Sequence, residues 1–454
     1  MKIITTLFAI IYSFACLAQQ PDFINHGNHA FTPGHAACIS KEEHNKVQGL
    51  VIHKKDSVMA MRRTARPANH PQFIWPVTQQ DGFNYHNTWG ISNFVDHASG
   101  YPNDIMDYNC GDRSYDLSNG YNHAGTDIFL WPFPWLQMQR GQNNVVAAAP
   151  GTILYKNDGQ YDANCAMSGA DWNAVYLLHA DGSVSWYGHL KRSSLTEKPI
   201  GASVAAGEFL GKIGSSGSST GPHLHFEVYD SNNQLIDPFS GECNDTNSES
   251  WWQEQIPYRS TTINALLTHN VPPVADACRD YTNYEVSQFA TGTRVYLGLY
   301  LKDQTLGDII NLKVIRPNGT VYNDFNNVAT QTYNASYWYW SFIPAAEGNW
   351  TWQAEYMGET YTHQFTVGTM GIGAQPQQLQ AAVYPNPAKE TITIEAAQTV
   401  THLSIYDSTG KLLLQEQNTA GITTSNVSGL AQGIYFVKLT SIGGTSTTIK
   451  LQHI

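Results

Sequence analysis

Three short stretches of the chain carry side chains that can bind a divalent metal or transfer a proton. They read NHAGTDI at 122–128, WYGHL at 186–190 and TGPHLHFEV at 220–228. A catalytic zinc ion takes three protein ligands and keeps one position open for water. The histidines and the aspartate in these stretches would supply such a set and leave side chains over for acid–base catalysis. They are His123, Asp127, His189, His223 and His225.

The third stretch has the alternation of a β-strand. Because side chains alternate between the two faces of a strand, His223 and His225 share one face. The apolar residues Leu224, Phe226 and Val228 share the other face, which we expect to be the core face. Two imidazoles side by side could be two ligands of one metal, a ligand and a base, or part of a polar surface. The pair alone does not decide among these.

The first stretch raises a geometric question. On a flat strand His123 and Asp127 would share a face but lie roughly 13 Å apart, too far to grip one ion. A bend or bulge between them would bring them together, and Gly125 is the residue type that permits one. His225 from another strand would then complete a His-Asp-His set. His189 would remain, with His223, to act as general base or to hold a tetrahedral intermediate.

Taken together and in this order, the three stretches resemble the lysostaphin-type zinc endopeptidases, the family that includes the β-lytic metalloproteases. The resemblance covers about residues 76–240. It extends to the Ala-Pro-Gly turn at 149–151, the hairpin over 174–190 and the Gly/Ser-rich approach to His223. Ala124, where glycine is common in that family, is a small departure that leaves the spacing intact.

The resemblance implies one zinc ion per chain, bound by His123, Asp127 and His225, with His189 and His223 as the catalytic pair. It implies hydrolysis of peptide bonds by zinc-activated water. The leading hypothesis is a secreted enzyme that cuts peptide cross-links of peptidoglycan. The alternatives are a general extracellular protease acting on glycine-rich proteins and a non-catalytic wall-binding or adhesin protein.

Composition excludes some functions. The chain has 454 residues, 42% of them hydrophobic, which favours packed cores. Its net charge of −12, with no basic stripe, argues against binding of nucleic acid. Residues 1–18 have the pattern of a secretory signal peptide, and no later segment holds 18 uninterrupted apolar residues. We therefore expect a secreted or cell-surface protein, exported through the periplasm, with no membrane span.

Cysteine spacing suggests disulfides rather than a thiolate metal site, since no CxxC is present. Lipid attachment at Cys16 is an alternative to signal cleavage, and the preceding Ser-Phe-Ala disfavours it. The simplest pairing joins Cys110 to Cys165 and Cys243 to Cys278, which leaves Cys38 over.

The strand and turn pattern predicts a mainly β protein with an immunoglobulin-like β-sandwich and a small C-terminal β-sandwich. The resemblance implies that the domain ahead of them is an antiparallel-sheet peptidase domain of the lysostaphin type. After the signal peptide we expect an irregular N-terminal extension or pro-segment with a helix-like charged patch. The expected ranges are 19–75 for this extension, 76–245 for the peptidase domain, 246–279 for a connector, 280–368 for the accessory sandwich, 369–380 for a linker and 381–454 for the last domain.

The C-terminal segment contains YPNP at 384–387, a DSTG turn at 407–410 followed by Lys411, and GIY at 433–435. It resembles the sorting domain of proteins exported by the type IX secretion system of Gram-negative bacteria. That resemblance implies an address tag without catalysis, and the type IX machinery as a partner.

Other residues admit two interpretations. The aromatic runs YWYW at 337–340 and WTW at 350–352 could stack on sugars or simply pack across strands. His26, His29 and His35 could form a second metal site or lie over the first, but their spacing favours surface histidines. His179, next to an Asp-Gly turn, is expected to have a structural role at a hairpin end.

Overall fold

A computed structural model of the chain describes residues 23–31, 40–61, 69–83, 85–275, 277–368, 379, 381–396, 399–407, 411–418, 421–441 and 446–454. The predictions for residues 1–18, for Cys38 and His35, and for nearly all of the 369–380 linker lie outside these residues. The chain divides into two compact units, one ending at Gly368 and one beginning at Thr369. Within the described ranges, no helix combines the length and apolarity needed to cross a bilayer.

The N-terminal segment is more regular than the sequence predicted. It forms a strand, β1 (Ile24–Phe31), and a helix of 21 residues, α1 (Lys41–Met61). A capping box begins α1: the Glu43 amide donates to Ser40 Oγ, and the Ser40 amide donates to the Glu43 carboxylate. The prediction of an irregular segment was therefore wrong, although the charged patch is indeed helical.

The first domain is built on an eight-stranded antiparallel sheet. Its elements are β2 (Val77–Gln79), β3 (Trp89–Asn93), β4 (Gly125–Leu130), α2 (Pro134–Arg140), β5 (Asn143–Val146), β6 (Gly151–Asn157), β7 (Ala174–Leu178), β8 (Val184–Gly188), β9 (Ser203–Val204), β10 (Phe209–Lys212), β11 (His223–Tyr229) and β12 (Leu235–Ile236). The strand order is β3-β4-β11-β8-β7-β6-β9, with β12 beside β11, and β10-β5-β2 form a second small sheet.

The two faces of β11 have different roles, as the alternation predicted. Leu224, Phe226 and Val228 lie in the main core of the first domain, fully buried. The opposite face is also buried, and it carries His225, Glu227 and Tyr229. Above that face α1 contributes Val51 to a second apolar cluster that includes Tyr176, Trp186 and Tyr229.

The disulfides join Cys110 to Cys243 and Cys165 to Cys278, so the predicted pairing was wrong. Both bonds connect the 100–170 region to the chain beyond β12 rather than linking neighbours in sequence. The bonded cysteines lie 133 and 113 residues apart along the chain. Their spacing in the sequence therefore does not reveal the pairing, which depends on the fold bringing their Cα atoms close enough to bond.

The second domain is a β-sandwich. Its strands are β13 (Thr262–His269), β14 (Gln288–Phe289), β15 (Val295–Lys302), β16 (Ile309–Ile315), β17 (Val321–Val328), β18 (Ala335–Phe342), β19 (Gly348–Tyr356) and β20 (Glu359–Val367). One sheet has the order β1-β18-β15-β13 and the other β14-β20-β19-β16-β17. β13 lies inside the range predicted as a connector; it belongs to the sandwich because it pairs with β15 along its length.

The aromatic runs form the sandwich core. Trp338, Trp340, Trp350 and Trp352 are buried in one cluster, which fits cross-strand packing. The tyrosines between them face the other way, and β1 covers them: His29 stacks on Tyr337 at 4.7 Å and His26 on Tyr339 at 4.8 Å. A third apolar cluster joins the two domains, with Phe129 and Trp131 of the first against Tyr300 and Tyr337 of the second.

The C-terminal unit is a small two-sheet β-domain. Its strands are β21 (Ala381–Tyr384), β22 (Thr391–Ala396), β23 (Val400–Tyr406), β24 (Leu412–Gln417), β25 (Thr424–Asn426), β26 (Gly433–Ser441) and β27 (Ser446–His453). The sheets have the orders β21-β22-β25 and β24-β23-β26-β27. Residues 408–410 of the predicted turn lie outside the described ranges, while β23 and β24 on either side pair antiparallel.

Candidate metal centre

The three side chains predicted as zinc ligands converge in the first domain. One ligand atom from each of His123, Asp127 and His225 lies within 4.8 Å of the others, and all three residues are buried. His225 and Asp127 stand directly opposite each other in the register of β11 and β4. His123 precedes β4 in the loop that enters the strand.

This arrangement corrects the predicted role of Gly125. β4 pairs with β11 without a bulge from Gly125 onward. His123 lies in the loop before this strand, and it reaches the site from that loop rather than from a bent strand. What Gly125 provides is room. A Cβ at this position would lie 2.7 Å from Cε1 and Nε2 of His225 and 2.8 Å from the Phe226 carbonyl oxygen. Any larger residue would push the His225 imidazole out of place.

Hydrogen bonds outside the cluster hold one nitrogen of each ligand imidazole and leave the other nitrogen facing Asp127. His123 Nδ1 donates to the Phe94 carbonyl at 2.7 Å, so its Nε2 is free to face Asp127 Oδ2 at 3.2 Å. His225 Nε2 donates to the Glu227 carboxylate at 2.9 Å, which turns Nδ1 toward Asp127 Oδ1, also at 2.9 Å. Partners of this kind fix the tautomer and orientation of metal-binding histidines.

Charge in the site is balanced for a cation. Two buried carboxylates, Asp127 and Glu227, flank the imidazole of His225. Burial alone would lower the pKa of His225, but the hydrogen bonds that its imidazole donates to both carboxylates raise that pKa to about 9. The proton on Nδ1 is the one that a bound metal ion would replace. Burial would raise the pKa of Asp127, but the imidazoles around it, His123 foremost, hold that pKa well below its usual range. The two-nitrogen, one-oxygen donor set fits zinc.

Asn93 completes the support of the aspartate. Its Nδ2 donates to Asp127 Oδ2 at 3.0 Å, and it lies at the end of β3, next to β4 in the sheet. Both residues are buried, so the carboxylate is held in one orientation.

His189 and His223 lie beside the ligand cluster rather than in it. Their ring centroids are 4.4 Å apart. His189 Nδ1 donates to the Ser216 carbonyl at 2.6 Å and His223 Nδ1 to the Gly221 carbonyl at 2.8 Å. Among the described residues, neither Nε2 atom has a hydrogen-bond partner, although both are buried. Burial lowers the pKa of each imidazole, which keeps both neutral with a lone pair at Nε2.

The backbone at His189 is strained. This residue follows β8 with φ of 60°, in the left-handed region that non-glycine residues avoid. Such conformations cost about 1–3 kcal/mol and cluster at functional sites. The preceding Gly188 allows Trp172 to approach, since a Cβ there would lie 2.7 Å from the indole. Trp172 in turn packs edge-on against the His189 ring, with centroids 4.8 Å apart.

Sequence reasoning missed three residues of this site: Glu227, Asn93 and His44. Period-2 alternation along β11 could have found Glu227, which shares a face with His225. Asn93 and His44 lie on separate elements, β3 and α1, and no local pattern connects them to the motifs. His44 Nε2 contacts Glu227 Oε1 at 2.7 Å.

His179 lies apart from this cluster. Its Nδ1 donates to the Pro150 carbonyl at 2.8 Å, and its Nε2 pairs with Ser185 Oγ at 2.9 Å. These bonds tie the β7–β8 hairpin end to the turn before β6.

Comparison with known proteins identifies two families. Residues 122–238 match the model of peptidase family M23, and residues 382–452 match the model of a secretion system C-terminal sorting domain. The first match spans all five residues predicted for the site.

Individual relatives match over the same region. The DD-carboxypeptidase/endopeptidase Mpg of Neisseria meningitidis is 38% identical over 96 residues, which is 21% of this chain and 19% of Mpg. The glycyl-glycine endopeptidase ALE-1 of Staphylococcus capitis is 34% identical over 124 residues, 26% of this chain and 29% of ALE-1. The chain thus spans less than a third of the length of these relatives.

Among solved structures, the catalytic domain of lysostaphin from Staphylococcus simulans is 29% identical, with a TM-score of 0.21, over 31% of this chain and 86% of that domain. At that TM-score the likeness adds nothing to the sequence matches. The sequence matches are sufficient: the chain contains a domain of peptidase family M23, of the lysostaphin type, and a secretion system C-terminal sorting domain.

Proposed function

We propose that the chain is a secreted zinc metalloendopeptidase that hydrolyses peptide bonds in peptidoglycan cross-links. The observation that carries this proposal is that two groups of side-chain atoms lie next to each other. His123 Nε2, an Asp127 oxygen and His225 Nδ1 lie close together. Beside them lie the Nε2 atoms of His189 and His223, which have no hydrogen-bond partner among the described residues. The first set suits a metal and the second suits proton transfer.

His123, Asp127 and His225 would hold the zinc ion. When bound, zinc lowers the pKa of a coordinated water to about 7 and polarises the scissile carbonyl. Of the remaining pair, one imidazole accepts the proton of the attacking water at Nε2 and later returns it to the leaving amine. The other takes a proton from solvent at Nε2 and, as an imidazolium, donates a hydrogen bond to the oxygen of the tetrahedral intermediate; it keeps that proton through the cycle. The bonds from Nδ1 to Ser216 and Gly221 carbonyls hold both rings for these roles.

The substrate class is inferred from the relatives. Mpg is described as a DD-carboxypeptidase/endopeptidase and ALE-1 as a glycyl-glycine endopeptidase. These names point to peptides of the bacterial cell wall and favour peptidoglycan over general protein substrates. We further propose the domain ranges given above as functional units, with the sandwich starting at β13.

Two segments of the sequence support a proposed route of export. Residues 1–18 would direct the chain to the periplasm, and the sorting domain at 382–452 would pass it to the type IX secretion machinery. The protein would then act outside the cell or at its surface.

The test uses purified mature protein incubated with peptidoglycan, casein and elastin. We expect one bound zinc per chain by elemental analysis, peptide products from peptidoglycan by mass spectrometry, and loss of both activity and metal with a chelator. A His225→Ala variant should bind no zinc and release no product. Faster cleavage of casein or elastin would support a general protease, and zinc binding without any product would support a wall-binding protein.

A further inference from the structure

The segment that supports two of the metal ligands lies at an irregularity of the sheet. Asn93 donates to the ligand Asp127. The next carbonyl along the chain, that of Phe94, accepts the hydrogen bond from the ligand His123. The register between β3 and β4 shifts between Ile91 and Asn93. Because a register shift interrupts the ladder of backbone hydrogen bonds, contacts from outside the ladder have to fix the chain here.

Arg113 supplies such contacts on both sides of Asn93. Its Nη2 donates to the Ile91 carbonyl, and its own carbonyl accepts from the Phe94 amide at 2.7 Å. Its guanidinium also lies over the Phe94 ring, with Cζ 5.1 Å from the ring centroid. The residue is 1% exposed, and Nη1 donates to the Tyr258 carbonyl at 2.6 Å. One buried arginine therefore holds the backbone from residue 91 to residue 94.

The charge that pairs with this arginine comes from the sandwich domain. Asp303 Oδ1 lies 3.1 Å from Arg113 Nη1, and both side chains are buried. Within the described ranges, Asp303 is the one carboxylate that forms an ion pair with Arg113. Asp303 directly follows β15, and its φ of 52° is in the left-handed region. A non-glycine residue keeps such a conformation only where the surrounding structure imposes it.

We propose that Asp303 is a positioning residue of the metal centre and acts through Arg113 on residues 91–94. Those residues support the ligands His123 and Asp127. This inference rests on the proposed zinc-dependent hydrolysis. Its physical reason is that a buried charge is costly unless it is paired. Without the carboxylate, the guanidinium would move toward solvent and release the carbonyl and the ring that it now contacts.

The sandwich also contacts β3 at the start of the strand. Lys302 Nζ lies 3.2 Å from the centroid of the Trp89 ring. Asn264 Nδ2, on β13, donates to the Trp89 carbonyl at 3.1 Å. Trp89 is the first residue of β3, and Lys302 directly precedes Asp303. Strand β3 is thus held to the sandwich directly at its start and through Arg113 at its end, which makes the sandwich part of the support of the metal centre.

The experiment compares Asp303→Asn with the matched control Asp324→Asn in the full mature chain. Asparagine keeps the shape of aspartate and tolerates a left-handed backbone, so Asp303→Asn removes the charge alone. Asp324 lies on β17, at the edge of the other sheet of the sandwich. Zinc affinity is measured by competition with a chelator, and kcat and KM are measured on peptidoglycan fragments.

We expect Asp303→Asn to weaken zinc binding about tenfold, the lower end of the loss caused by removing the hydrogen-bond partner of a metal ligand. We expect kcat to fall by a similar factor while KM stays within twofold of wild type. Asp324→Asn should stay within twofold of wild type in all three quantities. Arg113→Lys keeps the charge but lacks the planar fork that reaches two carbonyls, so it should weaken zinc binding as Asp303→Asn does.

A second measurement reports the ligand geometry independently of activity. Each chain is loaded with Co²⁺ in place of zinc, and its visible absorption spectrum is recorded. The intensity of these bands depends on the arrangement of the ligands around the ion. It should change in Asp303→Asn and remain that of wild type in Asp324→Asn.

Thermal unfolding shows whether each variant is folded. If Asp303→Asn is not, the double variant Arg113→Met, Asp303→Asn replaces it, because removing both charges leaves none unpaired. A folded variant with wild-type zinc affinity and cobalt spectrum overturns the proposal, even if its Tm is lower, since Asp303 then only stabilises the contact between the domains. Weaker zinc binding and a changed spectrum, with no peptide released by wild type, support the positioning role and contradict the hydrolytic function instead.

Discussion

The imidazoles of His189 and His223 form a matched pair: each donates from Nδ1 to a backbone carbonyl, and each has an Nε2 beside the ligand cluster that no described residue hydrogen-bonds. They reach this position by different routes. His223 opens strand β11, whereas His189 follows β8 in a left-handed backbone conformation. Two neutral imidazoles with parallel roles in hydrogen bonding can share the proton transfers of one hydrolytic cycle.

The first prediction separates this pair from the ligands. His189→Ala and His223→Ala should each lower kcat by about 10²–10⁴-fold, because a positioned acid or base contributes that much. Zinc affinity should change by less than about threefold, since neither residue belongs to the ligand cluster. The measurements are steady-state kinetics on peptidoglycan fragments and zinc competition with a chelator.

The double variant should cost much less than the product of the two single effects, because the imidazoles act as a unit. His53→Ala, exposed on α1, is the control and should retain both zinc affinity and kcat. A single variant that loses zinc as completely as His225→Ala would contradict the division between ligands and catalysts.

The second prediction concerns Glu227. Glu227→Gln keeps the shape of the side chain but removes the charge that accepts the hydrogen bond from His225 Nε2. Loss of such a partner typically weakens metal binding about 10–100-fold. Zinc affinity measured by chelator competition should fall by that factor, while the exposed Glu254→Gln leaves it unchanged. Equal zinc affinity in both variants would show that Glu227 serves only to hold His44 and Tyr229.

The third prediction concerns the stability of helix α1. Gly49 lies in the middle of the helix, and a Cβ there would meet nothing within 4 Å. Gly49→Ala should stabilise the helix by about 1 kcal/mol, because glycine loses more backbone freedom in a helix than alanine does. Hydrogen exchange of the α1 amides should therefore slow about fivefold. An unchanged exchange rate would contradict this expectation.

Much of the site could be predicted from sequence because its residues lie in local patterns. His223 and His225 follow strand alternation, and the three motifs occur in a recognisable order. The rest depends on tertiary contacts that leave no local trace. Gly125 matters through the ring of His225, which lies on another strand. The buried side chains of α1 include a histidine and a lysine, so hydrophobic periodicity does not predict which face of this helix is buried. Likewise, β13 was not predicted as a strand of the sandwich, because its partner strand β15 begins some thirty residues later in the chain.

The last prediction concerns stability against acid. His269 on β13 is buried, donates from Nδ1 to the Tyr284 carbonyl and accepts from the Tyr300 hydroxyl, and burial lowers its pKa to about 4. Between pH 6.5 and 4 the unfolded chain therefore binds a proton that the folded chain does not, so acid destabilises the fold by about 3 kcal/mol through this residue. His269→Gln should flatten the dependence of Tm on pH over that window, while the exposed His53→Gln should not. A parallel pH profile for His269→Gln and wild type would contradict this assignment.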